Sequence, residues 1–464
     1  MKKIVKNYSL EILLSALLVN YLSNIINQSD NLIFFYLKNI HFLLSTFFSI
    51  YFYFILSNYI KKSLKLNSRI LSITYFFSSF FLIELIFFPV INLTGFRNLY
   101  LIIIISWLLI ITLSSKSIKI FLHIVITYLS LSFFNYYYFE KLKSINWYVE
   151  WSNDVPSQWF ELANLISSKG LFQAYTNNLI KGQGLFINNT QTIIFKLNFP
   201  LQDFQFIRVN SIIILFFSYL LFLDLKVSRN RQIIIALVFS IFVLNSEWLS
   251  YLFIDSLMLE GLASLFFGVY VYKSGDYMKT NLNFNSLVFY FFFSSVLFSK
   301  EFISTLTLVY LLYLLFIKKN QNVIVVFVIY SLERFYRKLY VPPENGASLL
   351  DGRSLTDLFF DLINLRNLDF NVLINILIEF TRDRIALVIF IYFIFVNLYS
   401  IKSKNGSIET VIFILILLNI VFIFIIYISW WNNIEVQSSY RYFLNCLHLI
   451  MISIALKAKS LNTE

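Results

Sequence analysis

The chain has 464 residues, 59% of them hydrophobic, 20% aromatic and only 13% charged, with a formal net charge of +12 and a mean hydropathy of +0.74. That much apolar surface exceeds what a soluble core can bury, so the composition excludes an ordinary soluble enzyme and predicts an all-α polytopic membrane protein. A single cysteine, Cys446, excludes an intrachain disulfide framework and a cysteine metal cluster, and its place in the last apolar run makes it a packing residue.

Along the chain, Met1-Lys2-Lys3 and Lys6 precede an apolar stretch from Leu10 to Leu22 with no small-x-small cleavage pattern after it, so a retained first helix is expected. Further apolar runs of roughly 17 to 25 residues follow, the length of spanning helices and not the alternating ten-residue pattern of a barrel. Between them the basic residues fall in alternate short connections: Lys61, Lys62, Lys65 and Arg69; Lys116 and Lys119; Lys226, Arg229 and Arg231; Lys273 and Lys279; Lys318 and Lys319; Lys402 and Lys404; Lys457 and Lys459. With the N-terminus inside, all of them lie on the cytoplasmic side, giving about fourteen helices with both termini inside. The positive charge is accounted for by this bias, and no nucleic-acid partner is expected.

The chain then reads as one membrane domain without repeats or linkers: N-terminal helices over 1–139, a first outer loop over 140–206, central helices over 207–332, a second outer loop over 333–384 and C-terminal helices over 385–464. The first outer loop carries Glu150 and Asn153-Asp154 among tryptophans. Arg208 heads the helix that descends from it and suits either an interfacial anchor or a phosphate ligand. Asp255 sits about one turn into an apolar run entered from outside, with Glu260 deeper; a carboxylate there is a functional candidate, whereas Glu260 is read as a structural partner of a basic side chain. Lys300-Glu301 interrupts what is otherwise one apolar stretch and marks two helices meeting at the outer surface, as an anchor or as a point charge for an anionic head group. Glu435, Arg441 and Tyr442 precede the last span. His41, His123 and His448, isolated within apolar runs, are read as packing or interhelical hydrogen-bonding residues. The second outer loop holds several arginines around Pro342-Pro343, and the periodicity of Leu355 to Leu368 predicts a helix lying on the membrane surface.

In this order the features resemble the GT-C superfamily of membrane glycosyltransferases that use polyprenyl-phosphate sugars, in particular the branch of protein mannosyltransferases and aminoarabinose lipid A transferases. Asn153-Asp154 resembles the acidic residues opening the family's first outer loop, and Phe160 to Gly170 the juxtamembrane helix that follows them. Arg208, Asp255, Val296-Leu-Phe-Ser299-Lys300 and Arg441-Tyr442-Phe443-Leu444 resemble later family patterns. The resemblance covers residues 147 to 456. It departs in having five helices before the loop, Asn-Asp for Asp-Glu, and Asn445 where proline is usual, so Glu150 stands beside Asp154 as the acid.

What the resemblance implies is inverting transfer of a sugar from a polyprenyl-phosphate donor to a lipid, glycan or protein acceptor at the outer face, with Asp154 as base and Arg208, Lys300 and Arg441 on the donor phosphate. Asp255 then orients the acceptor, assists the base, or holds Mg or Mn together with Asp154. Glu301, Glu435 and Tyr442 fall to the acceptor side. Two other classes stay open: a polysaccharide polymerase or ligase, which relies on an arginine-rich late loop, and a transporter or lipid flippase, which would show paired halves with broken helices. Richness in Ile, Asn, Lys and Phe and the short loops point to a bacterial inner membrane.

Overall fold

The computed structural model describes residues 32–94, 99–115, 117–142, 160–176, 184–198, 207–245, 260–278, 281–299, 301–340, 370–382, 384–400, 408–426 and 444–457. Among these, every regular element is helical and there is no strand, as the apolar periodicity predicts. In chain order the elements are α1 (Leu32–Ser63), α2 (Arg69–Ile86), α3 (Phe88–Thr94), α4 (Leu99–Ser115) and α5 (Ile118–Leu142). Three short helices follow, α6 (Phe160–Lys169), α7 (Leu171–Thr176) and α8 (Phe186–Asn198), then α9 (Ile207–Leu223), α10 (Arg229–Asn245) and α11 (Glu260–Ser274). The rest are α12 (Phe284–Phe293), α13 (Glu301–Leu312), α14 (Ile324–Tyr340), α15 (Phe370–Arg382), α16 (Arg384–Ser400), α17 (Ile408–Ile426) and α18 (Leu447–Lys457).

Several elements are composite. A 3₁₀ segment, Ser294–Phe298, extends α12; a π segment, Tyr313–Ile317, extends α13; and a 3₁₀ turn, Leu444–Cys446, leads into α18. The hydroxyls of Ser294 and Ser295 donate back to the carbonyls of Phe291 and Phe292, which favours tightening of the ladder there. Among the described residues, two helices are long and apolar enough to cross a membrane, Arg69–Ile86 and Ile408–Ile425, and several shorter helices are also apolar. The outward faces of α4, α5, α16 and α17 are apolar, with Leu113, Phe133, Phe395 and Val421 exposed.

One end of the bundle is closed by hydrogen bonds between chain reversals. Asp224, after α9, accepts from Ser68 Oγ at 2.7 Å, Arg69 N at 2.8 Å and Ile70 N at 3.2 Å, while Ser68 caps Leu71 N at 3.1 Å. The first donors of α2, which a helix leaves without partners, are thereby satisfied from a different helix. Lys226 pairs with Asp276, and its amide donates to the Tyr272 hydroxyl at 2.8 Å. Asn320 donates to Tyr290 and Tyr277, and Asn322 reaches Asn281 and Asn283. Ser114 donates to Ser63, bringing the end of α4 to the end of α1. These reversals carry Lys61, Lys62, Lys65, Arg69, Lys226, Arg229, Lys273, Lys318 and Lys319, so the charges assigned to one side in sequence do gather at one end.

At the centre lies α11, buried from Gly261 to Ser274. It packs against α2, α9, α13, α17 and α18. His448, opening the path of α18 past it, has Nε2 at 2.9 Å from Ser218 Oγ and Nδ1 at 3.0 Å from Ser264 Oγ, an interhelical hydrogen-bonding residue. Cys446 is fully buried.

Because Asp224 serves three donors as a charged acceptor, Asp224→Ala is expected to cost about 2 kcal/mol and lower the unfolding midpoint in detergent, with Asp224→Asn losing less. An unchanged midpoint in Asp224→Ala would show that this cap does not hold the bundle end.

Candidate functional site at the loop-bearing end

The opposite end carries the helices of the first loop. Of the residues singled out in sequence, Glu150, Asp154, Asp255, Lys300, Glu435, Arg441 and Tyr442 lie outside the described residues, as does the Leu355 to Leu368 helix. A metal shared by Asp154 and Asp255 therefore also falls outside them. Arg208 lies in the first turn of α9 and Glu301 opens α13, as backbone positions only. What is described is the frame from which these residues depart.

That frame is built by the loop folding back on the bundle. Gly170, at φ 86°, turns α6 into α7 in a region where a side chain would be strained. Immediately after it, the amide of Leu171 donates to Glu84 Oε2 at 3.2 Å, so a carboxylate near the end of α2 caps the start of α7. Lys196 of α8 donates to the Ser167 carbonyl at 2.7 Å and lies over the Tyr100 ring. Burial depresses the affinity of its amine for a proton, and the Glu84 carboxylate works against that. Glu84 was not singled out in sequence, although a lone carboxylate in the run from Arg69 to Ile86 was the signal that could have found it.

Further on, Gly184 donates its amide to the Ser299 carbonyl at 3.4 Å, and a Cβ on it would stand 2.0 Å from the Phe298 carbonyl oxygen. Only glycine allows this approach. Phe186 then packs edge-on against Phe81 and Phe266, at 5.7 and 5.0 Å between ring centres, locking α8 to α2 and α11. The loop that contains Asp154 is thus fixed on the chain neighbour of Lys300. The helix it touches, α11, begins five residues after Asp255. Against α11 packs the turn Leu444–Cys446, which begins three residues after Arg441. The 3₁₀ segment after α12 ends at Phe298 and Ser299 is extended.

Polar groups at this end are left without hydrogen-bond partners. The side-chain amides of Asn188, Asn189 and Asn445 and the hydroxyl of Ser299 are all buried and unpartnered. Each such group costs about 1–3 kcal/mol relative to its hydrated state. None was a candidate in sequence: Asn188 and Asn189 read as loop residues, and Asn445 only as a departure from proline.

Beside this frame lies a charged pair in an aromatic wall. Arg337 donates to Glu333 Oε1 through Nε at 3.0 Å and Nη2 at 2.6 Å, and Arg334 Nε lies 3.6 Å from the other oxygen. Phe88, Phe172, Tyr175, Tyr336 and Tyr340 surround them, with the Arg337 guanidinium 5.2 Å above the Tyr175 ring. Burial, then the Glu333 carboxylate, push the Tyr175 hydroxyl pKa upward, so it remains a neutral hydroxyl. Helix α14 runs to Tyr340 through the start of the segment read as the second outer loop, with Glu333 and Arg337 neutralising each other one helical turn apart and Glu333 only 1% exposed.

Comparison with protein-family models, curated proteins and solved structures returns no match.

Truncating one partner of a buried ion pair strands the other, so Arg337→Met is expected to destabilise by about 3 kcal/mol, and adding Glu333→Gln to recover most of that loss. Unfolding midpoints of the single and double variants, measured side by side, decide it; a double variant as unstable as the single one would mean that the pair's charge is not what matters.

Proposed function

We propose that this chain is a multi-pass membrane glycosyltransferase of the GT-C type, with about fourteen spanning helices, both termini on the cytoplasmic side and the loop-bearing end facing outward. The location is a bacterial inner membrane. A sugar moves from a polyprenyl-phosphate donor to a lipid, glycan or protein acceptor. The observation that carries this reading is the docking of the first loop, through Gly184, onto Ser299 beside Lys300. At that end α11 and the turn before α18 also pack together, leaving buried amides unpartnered. Four segments distant in sequence, each bearing one of the residues picked for this chemistry, thus leave from one end of the bundle.

The chemistry follows from the side chains assigned. Asp154, with Glu150 beside it, takes the proton from the acceptor hydroxyl or amine as the acceptor atom bonds to the anomeric carbon. The bond from that carbon to the phosphate oxygen breaks, and the electron pair leaves with polyprenyl phosphate. Arg208, Lys300 and Arg441 neutralise the charge that gathers on the phosphate. Asp255 orients the acceptor, or with Asp154 holds Mg or Mn, whose role would be to offset that same charge. Glu301, Glu435 and Tyr442 line the acceptor side. The competing reading of a polymerase or ligase relies on arginines and histidines in the late loop, which here carries arginines but no histidine.

Transfer from a radiolabelled polyprenyl-phosphate monosaccharide by reconstituted full-length protein is the direct test. Loss of a general base lowers the rate by about a hundredfold or more. Asp154→Ala, or the Asp154→Ala/Glu150→Ala pair, should therefore leave little product, and full transfer by the pair would overturn the reading.

A further inference from the structure

The lysine-rich end contains a cavity of about 220 Å³ lined by Asn67, Lys273, Asp276, Asn283, Asn285 and Ser286, among others. It is polar, it is too large for a single water, and it lies far along α11 from the loop-bearing end. Its charge balance is uneven. Asp224 is occupied by the donors of α2, and Asp276 by Lys226. Lys273 is left: its side chain is 5% exposed, and its ammonium makes a single hydrogen bond, 3.4 Å long, to the Asp224 backbone carbonyl. Its ammonium also lies 5.1 Å from the Tyr272 ring, and the Asp224 and Asp276 carboxylates, each already engaged by other donors, attract it without a direct ion pair. A buried ammonium carries three donors and a large desolvation penalty, and one long bond offsets little of it. The same cavity is lined by the side chains of Asn67, Asn283, Asn285 and Ser286, whose amides and hydroxyl are groups able to donate to an oxyanion.

We infer that this cavity binds a phosphate group, as a monoester or diester, with Lys273 as the charge that holds it and the asparagine amides as supporting donors. The ligand is either the head group of an anionic lipid or free phosphate; both present the same oxygens to Lys273. This site is independent of the transferase reading, since it uses none of the residues assigned to that chemistry.

Full-length protein is placed in nanodiscs containing equal phosphatidylglycerol and phosphatidylcholine, and lipid retained after detergent extraction is counted by native mass spectrometry. Binding of radiolabelled inorganic phosphate is measured in parallel. Lys273→Met should lower the retained phosphatidylglycerol, or the phosphate affinity, by about tenfold or more. Asn285→Asp provides a second variant: its side chain is exposed in the cavity lining and its backbone amide donates to Asn283 Oδ1, so the substitution adds a negative charge to the cavity wall. It should weaken binding several-fold with an unchanged unfolding midpoint. Loss of lipid retention alone identifies a lipid head group, and loss of phosphate binding alone identifies free phosphate. Should wild type hold neither ligand, or should Asn285→Asp and folded Lys273→Met both bind as wild type does, the inference is overturned.

Discussion

An apolar chain must satisfy its backbone polar groups from within itself, and that constraint shapes everything else in this fold. Helices meet it along their length, which is why the described elements are helical throughout. Their ends cannot, because the first amides and last carbonyls of each helix have no partner in it. The chain therefore concentrates its polar side chains where helices stop. Asp224 on the end of α9 takes the first amides of α2, Asn283 caps α12, and Glu84 caps α7. The caps from Asp224 and Glu84 cross between elements, so closing those helix ends also fixes which helices are neighbours.

The two ends meet the constraint to different degrees. At the lysine-rich end the reversals hydrogen-bond to one another, and carboxylates and asparagines are largely used up in doing so. At the other end the described helices of the first loop, α6 to α8, are packed on the bundle, held by an approach that only Gly184 permits, and yet Asn188, Asn189, Asn445 and Ser299 keep unpartnered polar atoms in buried positions. A group left this way costs as much as a cap gains. Packing alone would favour replacing such side chains with apolar ones of similar shape. Their retention at the end where Gly184 meets Ser299 argues that this end is shaped for something other than stability.

Helicity and the clustering of basic residues were legible because they depend on composition and on spacing along one segment. The docking of the first loop was not, because the approach of Gly184 to Phe298 joins residues more than a hundred positions apart, and glycine in a loop has many uses. Glu84 and Glu333 were underread because a carboxylate near a helix end looks like an interfacial anchor until its partner is known. Glu333 had a local clue in Arg337 four residues on, while the partner of Glu84, the amide of Leu171, leaves no trace in side-chain identity.

The ends are held in register by α11. It is buried along its described length, and Gly268 brings α18 so near that a Cβ there would meet the Cβ of His448 at 2.9 Å. His448 in turn ties α18 to α9 through Ser218 and to α11 through Ser264. A close-packed helix with hydrogen bonds on both sides does not slide without breaking them. Lys273 stands in the last turn of this helix, and Asp255 precedes its first turn by a few residues. The cavity lined by Lys273 at one end and the packing of the Leu444–Cys446 turn at the other are therefore set by the same element.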